Sequence, residues 1–247
     1  MLKWIGKYIR TIEFAIHKKM MVEKLKRFES NFKGKVLDVG AGDKPYRYLF
    51  TSVNSYISTN TRRHYKNQTS ELERFTDYWI EDASELPFEP EEMDGILCFQ
   101  VLSVVQKPEL FFKEVNRVLK PGGKFLLTTD FLYPTWSNKD HARYSKQQLE
   151  KFVVEAGLTV LKSESFGGIN SLFYSLLSRR IRSYVERIKD APHILIKLVR
   201  GLTFIVYLIL LPLISVWGWL VFLFDKTNRD DFDFTFNLLL YAQKPGL

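Results

Sequence analysis

The middle of the chain alternates short apolar runs with stretches of helical periodicity, which is typical of a parallel α/β sheet. The apolar runs predict strands near residues 35–40, 54–59, 77–81, 93–99, 124–129, 158–164 and 234–242. Helical spacing predicts helices near residues 44–50, 108–119 and 146–156. Pro121, Gly122 and Gly123 predict a turn that ends the second of these helices, because proline cannot continue a helix and glycine accepts positive φ.

The N-terminal segment, residues 1–29, has a different pattern. Its apolar side chains recur every three or four residues, with lysines and arginines between them. These apolar positions are Leu2, Ile5, Tyr8, Ile9, Ile12 and Ile16. The spacing predicts a basic amphipathic helix, and the interrupting charges argue against a signal peptide for export. Two roles stay open for this helix: covering the edge of the core, or lying in a membrane interface.

A second unusual segment lies before the last predicted strand. Residues 202–224 contain 23 residues without one charge. A run of about 18 or more predicts a membrane-associating helix, and a buried core helix is the alternative. An upstream stripe over residues 172–188, backed by arginines, predicts a second interfacial helix. Since basic residues flank the run on both sides, we expect both ends on the cytoplasmic side, joined by a shallow helical hairpin or an interfacial helix.

Charge and cysteine content narrow the function classes. The 247 residues carry a formal net charge of +8, but residues 28–165 have 18 Lys/Arg against 20 Asp/Glu. The central domain is therefore slightly acidic, and methylation or binding of nucleic acid is the least favoured interpretation. The single cysteine, Cys98, cannot form an internal disulfide, so the cytoplasmic side is the default location.

A glycine loop follows the first predicted strand. Gly40 and Gly42 allow a ligand to approach the backbone closely, and Pro45 suits the first turn of a following helix with free N–H groups. A dinucleotide fingerprint would need a third glycine at position 45 and an acid at the end of the second strand, where the chain has Asn60. Hydride transfer is therefore not expected.

Five segments, in order, resemble the class I S-adenosylmethionine-dependent methyltransferases of the small bacterial type-11 group. They are Val36–Gly42, Asp82–Phe88, Asp94–Leu102, Arg117–Gly123, and the pair Arg143–Ser145 with Glu155–Leu158. The resemblance covers about residues 30–166 and resumes at 234–244. It implies a Rossmann-like seven-stranded methyltransferase sheet with an apolar helical membrane-associating insertion before the last strand.

The resemblance also implies a site for S-adenosylmethionine. Gly40 and Gly42 would face the cofactor, and Asp38 would help to hold its aminoacyl end. The cofactor-binding set implied in this way is Asp38, Gly40, Gly42, Asn60, Asp82, Ala83 and Phe99, with Asp82 accepting from the adenine amino group. An N-cap or a surface carboxylate is the alternative interpretation of Asp38 and Asp82.

Three positions depart from the family pattern. Asn60 stands where an acid usually holds both ribose hydroxyls, and Lys44 stands where a third glycine is common. Ser103 and Val104 replace a Glu-His pair that often follows the fourth strand. The first departure predicts weaker nucleoside affinity or a substitute group, and the third removes a familiar polar pair from the mouth of the site.

The loop after the fifth strand holds the acceptor-site candidates. His141 is the candidate general base, because histidine is the side chain that most often has this role, and a solvated loop histidine is the alternative. Tyr133, Trp136 and Arg143 are the candidate substrate-binding residues. The other histidines are scattered, so no metal site is predicted.

These observations predict a methyltransferase on the cytoplasmic side of the inner membrane, peripheral or monotopic. We expect it to act on a lipid or lipid-linked acceptor such as a glycolipid, a polyprenyl-linked sugar or a quinone precursor. The predicted parts are the N-terminal helix 1–29, a methyltransferase domain of 30–166 plus 232–247, and a membrane-associating insertion of 167–231. Two alternatives stay open: a methyltransferase of a soluble sugar or small molecule whose apolar segment forms a homo-oligomer, and an inactive cofactor-binding scaffold.

Overall fold

The computed structural model describes residues 15–62, 72–132, 140–189 and 235–246, together with 198, 201, 202, 205, 206, 209, 212, 213, 215–220, 223 and 224. Seven strands form a single sheet in the order β3-β2-β1-β4-β5-β7-β6. They are β1 (Gly34–Val39), β2 (Val53–Thr61), β3 (Tyr78–Ile80), β4 (Met93–Phe99), β5 (Leu119–Asp130), β6 (Thr159–Phe166) and β7 (Asn237–Gln243). Strands β1 to β5 pair in parallel, whereas β7 is antiparallel to β5. The Rossmann-like seven-stranded sheet is therefore confirmed.

The described helices are α1 (residues 15–25), α2 (Pro108–Val118), α3 (Lys146–Glu155) and α4 (Ile169–Lys189). Pro108 occupies the first turn of α2, where its missing N–H has no intrahelical acceptor to lose. Ser145 caps α3, because its hydroxyl accepts from the Gln148 N–H at 3.2 Å. The predicted bounds of α2 and α3 agree with the structure to within one residue.

Two local predictions are wrong. A helix was expected over residues 44–50, but the structure has only a short 3₁₀ turn, Arg47–Leu49, because i→i+3 bonds such as Arg47 N–H to Lys44 C=O replace the α-helical ladder. A separate turn was expected at 121–123, but these residues lie within β5, which starts at Leu119 directly after α2. Gly122 accommodates the irregularity with φ +78°.

The chain divides into two compact units. One comprises residues 22–165 with 237–247, and the other residues 1–21 with 166–236. In the first unit, the side chains of successive strand residues alternate between the faces of the sheet. One face of the sheet packs against α2 and α3 around a phenylalanine cluster consisting of Phe111, Phe112, Phe125 and Phe152. The opposite face of β1 carries Val36 and Asp38, and this alternation fixes which side of the sheet receives the Asp38 carboxylate.

The second unit is mostly helical in its described parts. Its residues from α1 and α4 and all the described residues from 198 to 224 are in helical conformation. The ring of Tyr174 lies 6.0 Å from that of Trp217, and the Lys19 ammonium lies 5.0 Å from the Trp219 ring centre. At Gly218 a Cβ atom would come within 2.6 Å of the Tyr174 ring, so the helices approach closely at that glycine. No described helix combines the length and hydropathy that crossing a bilayer requires.

Candidate functional site

The glycine loop after β1 is held against the end of β2. The N–H groups of Gly40 and Ala41 both donate to the Thr59 carbonyl, at 2.9 and 3.0 Å. Gly40 has φ +71°, and a Cβ there would lie 2.5 Å from a methyl group of Val101. A side chain at position 40 would therefore meet both backbone strain and a clash with the segment that follows β4.

Asp38 is a buried carboxylate beside this loop. Its side chain is nearly inaccessible, with the residue 3% exposed, and one oxygen accepts from the Tyr56 hydroxyl at 2.5 Å. Burial raises the pKa of Asp38 to about 7, against the opposing effects of the Tyr56 hydrogen bond and the Lys44 charge. A buried acid of this kind at the end of a strand is suited to a cationic group of a ligand.

The side chain of Asn60, near the end of β2, stabilises the glycine loop. Its carboxamide oxygen accepts from the Gly42 N–H at 2.8 Å, and its nitrogen donates to the Gly42 carbonyl at 3.2 Å. The same nitrogen donates to the Thr76 hydroxyl at 2.8 Å. The side chain that replaces the family's ribose-binding acid thus makes its hydrogen bonds to the protein itself, and whether it also contacts a cofactor stays a prediction.

Lys44, the replacement for the third glycine, ties the loop to the segment before β3. It has φ +57°, and its ammonium lies 3.0 Å from a carboxylate oxygen of Asp77. Asp77 also accepts from the Ser58 N–H and hydroxyl. Partial burial raises the pKa of Asp77, but the hydrogen bonds from Ser58 and Lys44 lower it more, so Asp77 stays ionised at neutral pH.

The segment after β3 supplies the expected adenine-side residues. A carboxylate oxygen of Asp82 accepts from the Ser84 N–H at 2.8 Å, which forms a tight turn, and Ala83 is buried. Arg117 of α2 donates to the carbonyls of Leu86 and Phe88 at 3.1 and 2.9 Å. These bonds hold Leu86 and Phe88, a few residues after the Asp82 turn, against α2.

The end of β4 lies on the same side of the sheet as the glycine loop, because β1 and β4 are parallel neighbours. Phe99 is largely buried, with Tyr46 in edge-to-face contact at 5.6 Å and Phe50 stacked at 6.2 Å. Gln100 follows with φ +59°, a conformation that costs energy for a residue with a side chain. Its amide nitrogen donates to Asn237 at 3.2 Å, and its backbone N–H donates to the Thr128 carbonyl at 2.8 Å.

The predicted acceptor-side residues are only partly described. His141 is exposed, and its backbone N–H donates to the Ser103 carbonyl at 2.7 Å, which places it beside the segment after β4. The guanidinium of Arg143 pairs with buried Asp140 at 2.8 Å. Tyr133 and Trp136 lie outside the described residues. Within the described ranges, no group of three His, Cys, Asp or Glu side chains is arranged to hold a metal ion.

Two features of the site escaped the sequence analysis. One is Tyr56, although Tyr56, Ser58 and Asn60 form a polar row at period two along the inner strand β2. That alternation is a usable signal, because in the parallel register it puts the row on the Asp38 face. The positive φ of Gln100 had no comparable signal, since glutamine has no preference for it.

The acceptor groups of the site fit S-adenosylmethionine at both ends. A buried carboxylate suits the ammonium of the aminoacyl end, and a carboxylate in a turn suits the adenine amino group. Between them, Asn60 is hydrogen-bonded to Gly42 and Thr76, at the position where the family usually has an acid.

Comparisons with known proteins bear on the family and the fold of the chain. A family model described as a methyltransferase domain, of the type-11 group, matches residues 37–127. The chain is 30% identical over 153 residues to a ubiquinone/menaquinone biosynthesis C-methyltransferase of Bartonella quintana, covering 48% of this chain and 58% of that protein. It is 29% identical over 104 residues to a phosphatidylethanolamine N-methyltransferase of Cereibacter sphaeroides, covering 40% and 51%. It is 30% identical over 116 residues to a sterol methyltransferase-like 3 of Botryococcus braunii, covering 43% and 29%.

The chain thus spans between 29% and 58% of the length of these three curated relatives. Among solved structures, a Thermotoga maritima S-adenosylmethionine-dependent methyltransferase superposes with a TM-score of 0.55 at 13% identity, covering 98% of this chain and 97% of that one. A Haemonchus contortus phosphoethanolamine N-methyltransferase 2, in complex with S-adenosylmethionine, has a TM-score of 0.53 at 20% identity, covering 93% and 52%. At these identities the structural likeness shows the fold alone.

Proposed function

We propose that this chain, which belongs to the class I S-adenosylmethionine-dependent methyltransferases, transfers a methyl group to a lipid or lipid-linked acceptor at the cytoplasmic face of the inner membrane. The observation that carries the lipid acceptor is the apolar surface of the helical unit. The names of the three curated relatives support it, since they refer to a sterol, a quinone and a phospholipid.

The proposed cofactor contacts follow from the site. When bound, S-adenosylmethionine supplies an electrophilic methyl group on a sulfonium. In this proposal the Asp38 carboxylate pairs with its ammonium, and Asp82 accepts from its adenine amino group, with Ala83 at the same turn. Phe99 lies at the end of β4 as an apolar wall. Holding the cofactor and acceptor together supplies much of the rate of a methyl transfer.

His141 stays the proposed general base. It is exposed to solvent, and its backbone lies beside Ser103 in the segment that follows β4. If it removes the acceptor proton, His141→Ala lowers turnover by about 10² to 10⁴ without changing cofactor affinity. An unchanged turnover in that variant would return His141 to the role of a solvated loop residue.

The apolar surface is formed by the described residues between 198 and 224. Most of their large apolar side chains are more than half exposed, although they are isoleucine, leucine, valine and phenylalanine. These exposed residues are Leu198, Leu202, Ile205, Val206, Ile209, Leu213, Val216, Leu223 and Phe224. A soluble surface rarely exposes so many large apolar side chains of one segment, whereas a lipid interface accepts them. Exposed Lys18 and Lys19, in the same unit, suit anionic headgroups.

The sheet topology favours a monotopic or peripheral arrangement. Strand β6 precedes the apolar segment and β7 follows it, and the two strands are neighbours in the sheet. Because both strands belong to one sheet, the segment must leave and return on the same side of the membrane. Single cysteines at Lys197 and Lys226, in a Cys98→Ser background, should then both react from the cytoplasmic side only.

The enzymatic test uses purified full-length protein. Calorimetry should show S-adenosylmethionine binding that Asp82→Ala weakens severalfold. Incubation with labelled cofactor and a total membrane lipid extract should transfer label to the lipid fraction, and transfer only to water-soluble sugars or small molecules would favour a soluble acceptor. Because Asn60 is engaged with the loop, an inactive scaffold is the second candidate, and it predicts cofactor binding without transfer to any fraction.

The membrane test compares matched aspartate substitutions. Ile209 and Leu213 are 69% and 65% exposed in the helical unit, and Val154 is 63% exposed on α3. Replacing Ile209 and Leu213 together by aspartate should abolish co-flotation with anionic phosphatidylglycerol vesicles, while Val154→Asp should not. Equal flotation by all variants would contradict the membrane proposal, and a change from dimer to monomer instead would favour the oligomer alternative.

A further inference from the structure

The Asp38 carboxylate is held by one side chain in particular. Tyr56 of β2 donates its hydroxyl to one Asp38 oxygen, and the parallel register of β1 and β2 brings the two residues together. Tyr56 is itself positioned, because the Arg47 guanidinium lies 4.8 Å from its ring centre and the ring is largely buried. The hydroxyl therefore has a fixed direction, toward Asp38.

Among the described residues, the titratable groups that interact with Asp38 come from three neighbouring elements. These are Tyr56 on β2, Lys44 and Tyr46 on the glycine loop, and Cys98 on β4. Burial raises the pKa of Tyr46 to about 12 and raises that of Cys98, so both stay neutral at physiological pH. Burial and the Asp38 charge also raise the pKa of Tyr56, so its hydroxyl keeps its proton and remains a donor.

Lys44 is the one cation among these groups, and its ammonium is paired with Asp77 at 3.0 Å. The direct hydrogen bond from Tyr56 therefore remains as the main local contact that favours the ionised Asp38 over the neutral acid. This matters for binding, because only the ionised form attracts an ammonium group.

We propose that Tyr56 is a positioning residue that orients Asp38 and keeps it ionised for the ammonium group of the cofactor, so that cofactor affinity falls as the solution is acidified. The inference rests on the proposed function, since it takes S-adenosylmethionine as the ligand. It adds a residue and a pH dependence that the motif pattern does not contain.

The test is calorimetric titration between pH 6 and 8.5 with two ligands. S-adenosylmethionine carries the ammonium group, whereas 5′-methylthioadenosine has the adenine and ribose but no aminoacyl end. Tyr56→Phe should weaken the binding of S-adenosylmethionine by about fivefold at pH 7, the loss of ionised Asp38 expected if its pKa rises from about 7 by about one unit, and by less than about threefold at pH 8.5. Binding of 5′-methylthioadenosine should be unchanged.

The matched control is Tyr241→Phe, which removes a hydroxyl from a buried ring packed between Phe28 and Phe32, away from the site. It should leave both affinities unchanged. If Tyr56→Phe does not fold, Asp38→Asn provides the second measurement, because it should make S-adenosylmethionine affinity independent of pH between 6 and 8. A pH-dependent affinity in Asp38→Asn, with the wild-type profile, would overturn the proposal.

The outcomes separate the two levels of inference. Equal pH profiles for wild type and Tyr56→Phe, or an equal loss of both ligands, would overturn the role of Tyr56 while leaving the methyltransferase proposal intact. Failure of the wild-type protein to bind either ligand at any pH would overturn the proposed function, and the role of Tyr56 with it.

Discussion

The amino edge of the sheet, where its parallel strands begin, and the carboxyl edge, where they end, carry the same residue types. Each has a glycine with positive φ and a nearby aspartate, but the two aspartates differ in burial. Gly34 and Gly40 stand at the start and just past the end of β1, with φ of +68° and +71°. Two aspartates lie beside them: Asp94 next to Gly34, and Asp38 two residues before Gly40. At the amino edge the carboxylate is partly exposed, and at the carboxyl edge it is buried.

The electrostatic consequences differ in sign. Partial burial raises the pKa of Asp94, but hydrogen bonds and charges from Lys120 and Lys35 lower it more, whereas burial raises the pKa of Asp38 to about 7. The ionised Asp94 therefore stabilises the fold, and the ionised Asp38 destabilises it. A charge that lowers the stability of the fold points to a functional role for the carboxyl edge. The surface ion pair of Asp94 at the amino edge gives no such indication.

The largest expected difference concerns the two glycines. Gly40→Ala should destabilise the protein by about 3 kcal/mol, because it combines positive φ with a Cβ pressed against the branched Val101 side chain. Gly34→Ala should cost about 1 to 2 kcal/mol, since its Cβ meets only the movable Asp94 carboxylate. Urea unfolding of both variants measures the two free energies.

Cofactor binding should also distinguish the two glycine variants. Gly40→Ala should also lose S-adenosylmethionine binding in conditions where it is folded, whereas Gly34→Ala should keep it. Equal binding by both variants would mean that the glycine loop is a purely structural turn.

The sequence predicted the strands well because their apolar runs are local signals. Strand β4 was predicted with the observed bounds, and α2 and α3 to within one residue. The helix expected at 44–50 failed because Pro45 and the left-handed Lys44 favour i→i+3 bonds in a short connection. Local propensity could not reveal that, since the loop conformation is set by contacts with β2.

The candidate site was predictable only in part, for a similar reason. Asp38 and the glycines belong to one contiguous motif, so order along the chain was sufficient to find them. Tyr56 lies 18 residues from Asp38, and the two meet only through strand pairing. The engagement of Asn60 with Gly42 is equally non-local, so the sequence showed the substitution but not its structural consequence.

The second prediction uses the two aspartates. The pKa of Asp38 is raised from its ordinary value of 3.8 to about 7, so the folded protein favours the neutral carboxyl. The stabilisation that the neutral carboxyl gives the folded state is therefore full in acid and is lost as the pH rises through 7. Asp38→Asn should therefore stabilise the protein by about 2 kcal/mol at pH 8 and have little effect at pH 4. Thermal and urea unfolding across that range measure the change.

Asp94→Asn is the matched control with the opposite sign. Its lowered pKa means that its contribution is present above pH 4 and is lost on further acidification. Because the pair with Lys120 is partly exposed, the variant should lose at most about 1 kcal/mol at pH 7. If Asp38→Asn destabilised the protein at pH 8 in the same way, the contrast between the two edges would be wrong.

The smallest expected effect concerns two strained residues that precede and follow β4. Glu91 and Gln100 have φ of +58° and +59°. Glycine relieves such strain, so Glu91→Gly should stabilise the protein by about 1 kcal/mol, less a few tenths for the surface pair with Lys244. Gln100→Gly relieves the same strain but removes the side-chain hydrogen bond to buried Asn237, so its net change should lie within about 0.5 kcal/mol of zero.

Melting temperatures of the two variants, measured side by side, detect this difference in stability, and methyl transfer should fall only in Gln100→Gly. If both variants were stabilised equally and kept full transfer, the strain at Gln100 would have no function, and the carboxyl edge would differ from the amino edge in its charges alone.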